Sequence, residues 1–512
     1  MLDKLSACCA ATGADVYLVG GFVRDWLLYN KPGHDIDIAV SGDPELVAQA
    51  IAREFGGTVI PLGAKHGVIR VVTSGLEDST PNGSDSDIQW AGHETPAEDL
   101  KPWTIDVDGF TGTIDEDLRR RDFSVNAMAL RLDDWPSTDG ILDPMGGRAD
   151  LAQKSIRALS PTVFQDDPGR LLRAVRLAGQ LKFRIEPGTS KLIAANAALL
   201  AKVSPERVRE GFLKILSLDG AKGQIEVLDH FGLFEQVIPE LQSAKGVEQP
   251  KEHYWDVWGH TMHTVEFAEL ITKGHQNSPL YMCVPWTADS EAHFNQHATD
   301  GHTRGTLLKL AALFHDVAKP QTKSLEANGR TRFFGHSEQG AEVATNRLGQ
   351  LRVSANGIEM VATMVEHHLR PTGMKNGSDW PTNRAIYRYF RDVGEVAVDT
   401  LYLSLADYLA ALGPNLVHED WLDHARMVGH ILHVGTSEPV SPTTARLITG
   451  KDLLTHFKIQ PGPEIGAVLE RVEEARAAGE IETKEQALEM AANALRYLAE
   501  QLLPESRHNG SK

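Results

Sequence analysis

GHDIDIAV, residues 33–40, reads as a β-strand with an electrostatic fault in it. Four of its eight residues, Ile36, Ile38, Ala39 and Val40, suit a buried strand, yet Asp35 and Asp37 interrupt it two positions apart. Successive strand side chains alternate faces, so both carboxylates point to the same side. Two negative charges side by side on a half-buried strand are destabilising unless something positive sits between them. Divalent metal ions answer that need, held between a nucleoside triphosphate and an attacking hydroxyl; hard oxygen ligands of this kind suit Mg2+. The plainer alternative is a solvent-facing pair on an edge strand.

Immediately upstream, LVGGFVRD (18–25) supplies a glycine pair. Gly20 and Gly21 let the backbone approach a ligand closely, and a helix starting there turns its first N–H groups toward an anion such as a triphosphate. A double glycine alone carries little. Followed at 14 residues by Asp-x-Asp on a strand, it becomes specific.

Composition sets the frame. At 512 residues, three or four domains are expected, and 42% hydrophobic with 24% charged residues is a soluble globular balance. No run of 18 apolar residues offers a membrane span, and the N-terminal stretch lacks a basic region before its apolar one. Cys8, Cys9 and Cys283 are too few and wrongly spaced for a disulfide framework or a structural zinc site, which predicts a reducing cytoplasm. The formal charge of −19 argues against nucleic-acid binding by the whole surface. A polyanion site belongs instead to residues 151–222, which hold 13 Lys/Arg against 6 Asp/Glu.

Residues 16–150 alternate strand-like runs (VYLVGG, DIDIAV, GVIRVV, WTIDV) with helical patterns such as PELVAQAIAREF, an α/β or α+β module. Within it, residues 73–102 are polar and acidic and read as a long loop, with substrate gating as the alternative role. Helical periodicity dominates afterwards. A basic neck is expected at 151–225, a histidine-rich helical body at 226–435 and a helical tail at 436–512. A second acidic, low-order patch is expected at 275–302 within the body.

Five segments in order, GGFVRD, DIDIAV, DLRRRDFSVNAMAL, LDPMGGRADLAQKSIRAL and DDPGRLLRAVRLAGQLKF, resemble the class II tRNA nucleotidyltransferases. That family is related to bacterial poly(A) polymerases and belongs to the polymerase β-like superfamily. The resemblance is dense over 16–215. It implies an α+β fold, a polymerase β-like head with a mixed sheet and helices followed by an all-α neck, HD domain and helical tail, and untemplated addition of C, C and A to tRNA 3′ ends from CTP and ATP. It makes Asp35 and Asp37 the catalytic Mg2+ ligands, with Gly20, Gly21 and Arg24 beside the nucleotide. It also brings Arg121, Asp122 and Asn126 to the ribose and phosphates, although an Arg–Asp ion pair holding the turn is an equal reading for any one of them. LDPMGGRADL reads as a structural joint, and Asp106 in WTIDVD as a third carboxylate.

In DDPGRLLR, Pro168 suits a first helical turn and places Asp167 and Arg170 three apart on one face. A carboxylate accepts from an exocyclic amino group while a guanidinium donates to the adjacent ring nitrogen. Cytosine and adenine offer that pair of groups; guanine and uracil present a carbonyl where the amino group should be. One Asp/Arg pair can therefore take C and A and reject G and U. The family motif has Glu where this chain has Asp166, which puts the orienting role of that position in question. Arg173 and Arg176 on the same helix are implied nucleotide contacts. An ordinary helix salt bridge is the competing account.

The second half has its own signature. His260, His315, Asp316, His336, His367 or His368, and Asp407 follow the order of an HD-domain metal site. Imidazoles with carboxylates bind a divalent metal and activate water on phosphoesters. Of the adjacent pair, His367 is taken as the ligand; His263 is expected to be a bystander. The resemblance to nucleotidyltransferases with a C-terminal HD domain covers about 253–410 and implies phosphatase or 2′,3′-cyclic phosphodiesterase chemistry. Within the family, CC-only addition, A-only addition and poly(A) tailing compete with full CCA addition. PLGAKHGVIRVV lacks the adjacent basic residues associated with poly(A) polymerases. Outside it, the competing idea is an HD phosphohydrolase with an RNA-binding head. The oligomeric state is not legible.

Overall fold

A computed structural model describes residues 1–31, 33–62, 67–73, 102–274, 278, 280–374, 380–437, 440 and 445–501. The acidic loop expected at 73–102 lies outside them except at its ends. Two compact units result, residues 1–203 with 231–233, and residues 204–230 with 234–512. The neck expected at 151–225 is thus divided between them.

The first unit is built on one mixed six-stranded sheet. Its strands are β1 (Val16–Val19), β2 (Asp35–Ser41), β3 (Thr58–Pro61), β4 (Ile69–Val72), β5 (Thr104–Phe110) and β6 (Ala129–Arg131), in the order β3-β4-β5-β2-β1-β6. β2 and β5 run parallel and every other neighbouring pair antiparallel. Among the helices of this unit are α1 (Leu2–Ala10), α2 (Gly20–Tyr29) and α3 (Pro44–Phe55). α3 shows why such a short segment is helical. Asp43 caps it by accepting from the Glu45 N–H, Pro44 opens its first turn, and Gly56 at φ 63° ends it. Its apolar stripe, Val47, Ala48, Ile51 and Phe55, is buried. These contacts fix β2 in the middle of the sheet, where Ile36, Ile38 and Val40 are buried on one face and Asp35 and Asp37 stand on the other.

The basic helix begins at Arg170 and runs to Leu181, two residues later than the Pro168 start predicted from sequence. Pro168 sits instead in a turn closed by the Arg170 N–H donating to the Asp167 carbonyl. Leu171, Leu172, Val175 and Leu177 are buried, and Arg173 lies on the opposite, exposed side. A short parallel pair, 155–156 with 184–185, was not legible at its length of two residues.

The second unit is helical. Val257–Ile271, Arg304–Phe314, His336–Gln350, Ala355–His367 and Ala397–Leu412 form its body, the last burying Leu401, Tyr402, Leu403, Leu405 and Leu409. The continuous helical stretch Asn383–Asn415 is long and apolar enough to cross a membrane, with mean hydropathy 1.3, but two thirds of its most apolar window is buried among neighbouring helices. It includes the buried core helix of this body, Ala397–Leu412. The expected low-order patch at 275–302 is a partial correction: Ala288–Asn295 is a helix, and His297–Thr299 pairs with His302–Thr303. A Thr287–Ser290 capping box starts that helix, and Phe294 stacks on Trp286 and meets Tyr402, interactions that charge content does not reveal. The tail helices Gly450–Phe457, Pro463–Ala477 and Lys484–Gln501 close over their own core of Ile448, Leu453, Val468, Val472 and Ala487.

Candidate functional site

The glycine pair and the aspartates meet in the head. α2 starts at Gly20, whose φ is +65°, and a methyl group there would lie 2.9 Å from Asp37 Oδ2. Gly21 donates its N–H to that same oxygen at 3.1 Å. The first turn of the helix therefore turns the Gly21 N–H toward the Asp37 carboxylate itself, and an anion bound at this helix start would lie beside it. Asp106 on β5 is the cross-strand partner of Asp37, so the two carboxylates share one face. Burial, and next the charge of Asp106, push the Asp37 pKa up; the Gly21 bond and the charges of Arg121 and Arg173 oppose this. Asp35, two residues back on the same face of β2 and opposite Thr104, is exposed. Three carboxylates gathered on one face of the sheet, Asp35, Asp37 and Asp106, are a donor set that suits a hard divalent cation such as Mg2+.

Around this row the arginines are already placed. Arg24 is buried; its guanidinium forks onto Asp25 (2.7 and 2.8 Å) and donates Nη1 to Asn126 Oδ1 at 2.7 Å. That bond fixes the amide of Asn126, whose Nδ2 is buried with no hydrogen-bond partner among the described residues. Arg121 is held by Asp117 at 2.9 Å, with its Nη1 over Gly20. Asp122 accepts from Arg173 Nε at 2.5 Å, the ion-pair alternative weighed for this turn. The Asp167 carboxylate accepts from the Gly169 N–H at 3.0 Å, and Arg170 Nη1 reaches the Val163 carbonyl at 3.5 Å. Asp166 reaches back to the Thr162 hydroxyl at 3.0 Å and does not orient the pair. Arg176 is half-buried on the same helix. The cation paired with Asp106 escaped the sequence reading: Arg70 on β4 forks onto both its oxygens at 2.8 Å.

The second unit gathers the histidine cluster. Asp316 Oδ2 is 3.2 Å from His260 Nε2, 3.1 Å from His315 Nε2 and 2.6 Å from Lys319 Nζ. Asp316 Oδ1 is 3.3 Å from His336 Nε2 and 3.8 Å from His368 Nε2. Asp407 Oδ1 lies 3.0 Å from His260 Nε2. The Nδ1 atoms of His315, His336 and His368 each hydrogen-bond a carbonyl three residues earlier, at 2.6–2.8 Å, which leaves every Nε2 turned toward Asp316. Oriented imidazoles with Nε2 free are the arrangement metal-ligating histidines adopt. Two ligand groups fall within metal-binding distance, His260–His315–Asp316 and Asp316–His336–His368, and Asp316 belongs to both. His336 Nε2 and His368 Nε2 are buried without a hydrogen-bond partner among the described residues, so the donor set fits a divalent metal.

His367 is corrected here: its place in the cluster is taken by His368. On the helix Ala355–His367 the buried stripe runs Gly357, Met360, Val361, Met364, Val365, and position 368 continues it while 367 falls outside. That periodicity was available in the sequence. His263 stands aside as expected, stacked on Trp255 and paired with Glu266 at 3.0 Å. Lys319, three residues after Asp316, was missed, although HDVAK places it on the same turn. Electrostatics follow the geometry. Burial would raise the Asp407 pKa, but the hydrogen bond and charge of His260 hold it well below the usual carboxylate range. Burial would lower that of His260, and its bonds to Asp316 and Asp407 raise it instead. For His368, burial and the neighbouring His315 bring the pKa down to about 4, so its ring is neutral near pH 7.

Four family models match the chain in order: the poly(A) polymerase head domain over residues 16–157, the RNA- and SrmB-binding region of polymerase A over 182–245, the HD domain over 257–412, and a tRNA nucleotidyltransferase domain 2 over 442–492. Among solved structures, the Thermotoga maritima CCA-adding enzyme complexed with tRNA shares the fold with a TM-score of 0.55 at 20% identity, covering 96% of this chain and 94% of that one. The Bacillus stearothermophilus CCA-adding enzyme in complex with CTP does so with a TM-score of 0.57 at 20% identity, over 98% and 97%. The CC-adding tRNA nucleotidyltransferase of Thermus thermophilus is 30% identical over 93% of each chain. The A-adding tRNA nucleotidyltransferase of Deinococcus radiodurans is 31% identical over 92% of this chain and 93% of its own. With relatives matched along nearly their whole length, this chain belongs to the class II tRNA nucleotidyltransferase and poly(A) polymerase family.

Proposed function

We propose that the chain is a tRNA nucleotidyltransferase that adds C and A residues from CTP and ATP to tRNA 3′ ends without a nucleic-acid template. The observation that carries this is the row of Asp35, Asp37 and Asp106 above the Gly20–Gly21 turn, in a chain similar to such enzymes throughout. Mg2+ bound there would supply Lewis-acid activation of the attacking hydroxyl and of the triphosphate. The residues do the rest. Asp35 and Asp37 would hold that cation, and the first turn of α2 with Arg121 neutralises triphosphate charge. Asn126 Nδ2, aimed by Arg24, is an unpaired donor suited to a ribose or phosphate oxygen. The tRNA 3′-hydroxyl bonds to the α-phosphorus, the bond to the bridging oxygen breaks, pyrophosphate departs, and the hydroxyl proton passes to solvent.

Asp167 and Arg170 are proposed to read the base. The matched RNA-binding region overlaps the basic stretch at 151–222, which supports tRNA contact there. Such binding weakens steeply with salt. The histidine cluster is proposed as a second divalent-metal site that hydrolyses phosphoesters, 2′,3′-cyclic phosphate among them. Three free cysteines support a cytoplasmic setting.

A second reading has a specific observation behind it: the two whole-length relatives above are named A-adding and CC-adding, so partial addition is the alternative. One experiment separates them. The protein is incubated with tRNAs ending before CCA, after C and after CC, with CTP and ATP, and the ends are sequenced. Completion of all three supports full CCA addition. Stopping at CC, or extending only CC-ended tRNA, establishes partial addition. Extension of none overturns the proposal.

A further inference from the structure

The head contains a cation that neither the catalytic nor the base-reading assignment uses. Asp37, Asp106 and Arg70 occupy one cross-strand row, on β2, β5 and β4 in register. Cross-strand partners project to the same face, so the three side chains are neighbours. Arg70 donates Nε to Asp106 Oδ1 and Nη2 to Asp106 Oδ2, each at 2.8 Å. This two-pronged bond is the strongest geometry available between these groups, and it occupies both carboxylate oxygens. Arg70 also feels the charges of Asp35 and Asp37. Asp37 and Asp106 are like charges directly opposite each other across two strands, so the row gains from any cation placed on it.

A guanidinium forked onto both oxygens of Asp106 competes with a divalent metal for that carboxylate and repels the cation by its charge. We propose that Arg70 is a resident counter-ion of the catalytic row: it withholds Asp106 from the metal until cation and nucleotide arrive together and draw Asp106 away. The consequence is a threshold. Free divalent cation competes with Arg70 and binds weakly, whereas cation brought with a triphosphate carries enough additional contacts to win. The side chains leave room for this exchange, since Arg70 is 40% and Asp106 24% exposed. The inference rests on the reading of Asp35 and Asp37 as the metal seat.

The test is equilibrium binding of CTP to the full chain, without tRNA, at increasing Ca2+. Calcium is an oxygen-seeking cation that an imidazole-rich cluster takes poorly, so the readout reports the head. The native protein should bind CTP with a defined half-point in Ca2+. Arg70→Gln should lower that half-point about tenfold, the size of effect a removed unit charge has at a partly exposed site. Arg70→Lys keeps the charge but cannot fork, and should fall between. Adding Asp106→Asn to Arg70→Gln should return the half-point to the native value or above, because the freed ligand is then lost. Thermal melting of each variant confirms folding; if Arg70→Gln does not fold, Arg70→Lys alone must still lower the half-point. An unchanged or raised half-point in the folded Arg70 variants overturns the inference, as does a lowered one that Asp106→Asn does not reverse. A native protein that binds no CTP at any Ca2+ overturns the metal-seat reading and this inference with it.

Discussion

Gly20 lies directly against the Asp37 carboxylate: at φ +65° its Cβ position is 2.9 Å from Asp37 Oδ2, too close for any real methyl group. The glycine that opens α2 and the aspartate on β2 are one device, because the close approach lets Gly21 bond the same oxygen. A side chain at position 20 would have to push Asp37 aside.

Gly20→Ala is therefore expected to damage catalysis more than stability. The left-handed backbone costs an Ala about 1 kcal/mol, a melting shift of a few degrees. A displacement of the reacting groups by an ångström costs about 100-fold in rate. Nucleotide incorporation together with thermal melting checks this. Near-native incorporation in a folded Gly20→Ala protein would contradict the geometry described for Asp37.

The base reader predicts a change of selectivity. Asp167→Ala or Arg170→Ala should reduce incorporation of CTP and ATP about 100-fold while leaving UTP and GTP at their low native level, because the unpaired partner penalises the correct bases. Competition assays with all four nucleotides measure the ratio. An unaltered preference for C and A would move base reading to other residues.

Much of this was legible in the sequence because it is local. The strand around Asp35 and Asp37, the glycine turn before it and the capped helix α3 are each fixed by residues close in the chain. Arg70 was not legible. Its meaning arises only when β4 pairs with β5 and places it opposite Asp106, and no local pattern encodes that register. The same reason hid the order within 288–302, where Phe294 is held by Trp286 and Tyr402. His368 was a different failure. The spacing of Val361, Met364 and Val365 pointed inward to position 368 and was passed over for the nearer member of the pair.

That correction can be tested by metal content. His368→Ala should lose bound transition metal, and His367→Ala should retain the native amount, as judged by elemental analysis of folded protein after dialysis against Mn2+ or Zn2+. Equal retention in both would place the metal elsewhere, and loss only in His367→Ala would restore the sequence-based choice.

Lys309 offers a pH-dependent test away from either site. It is 6% exposed, lies 3.8 Å from Glu269, donates to the Leu218 carbonyl at 3.1 Å, and faces Lys273 and Asp219 at longer range. Burial brings its pKa down to about 8 from 10.5. Between those values the unfolded chain binds a proton that the folded protein has released, so native stability gains with rising pH across this window. Glu269 keeps Lys273 at 2.8 Å and the N–H groups of Gly220 and Ala221. Lys309→Met should therefore be most favourable relative to the native protein near pH 7, and lose that advantage, a few kcal/mol, toward pH 10. Denaturant unfolding at several pH values measures it. A difference independent of pH would show that Lys309 is not held at a lowered pKa.

The most direct test of the central claim is incorporation of labelled CTP into tRNA lacking its CCA end, comparing native protein with Asp35→Ala/Asp37→Ala. The account predicts Mg2+-dependent incorporation by the native protein and none above background by the folded double variant. Undiminished incorporation by that variant would contradict it.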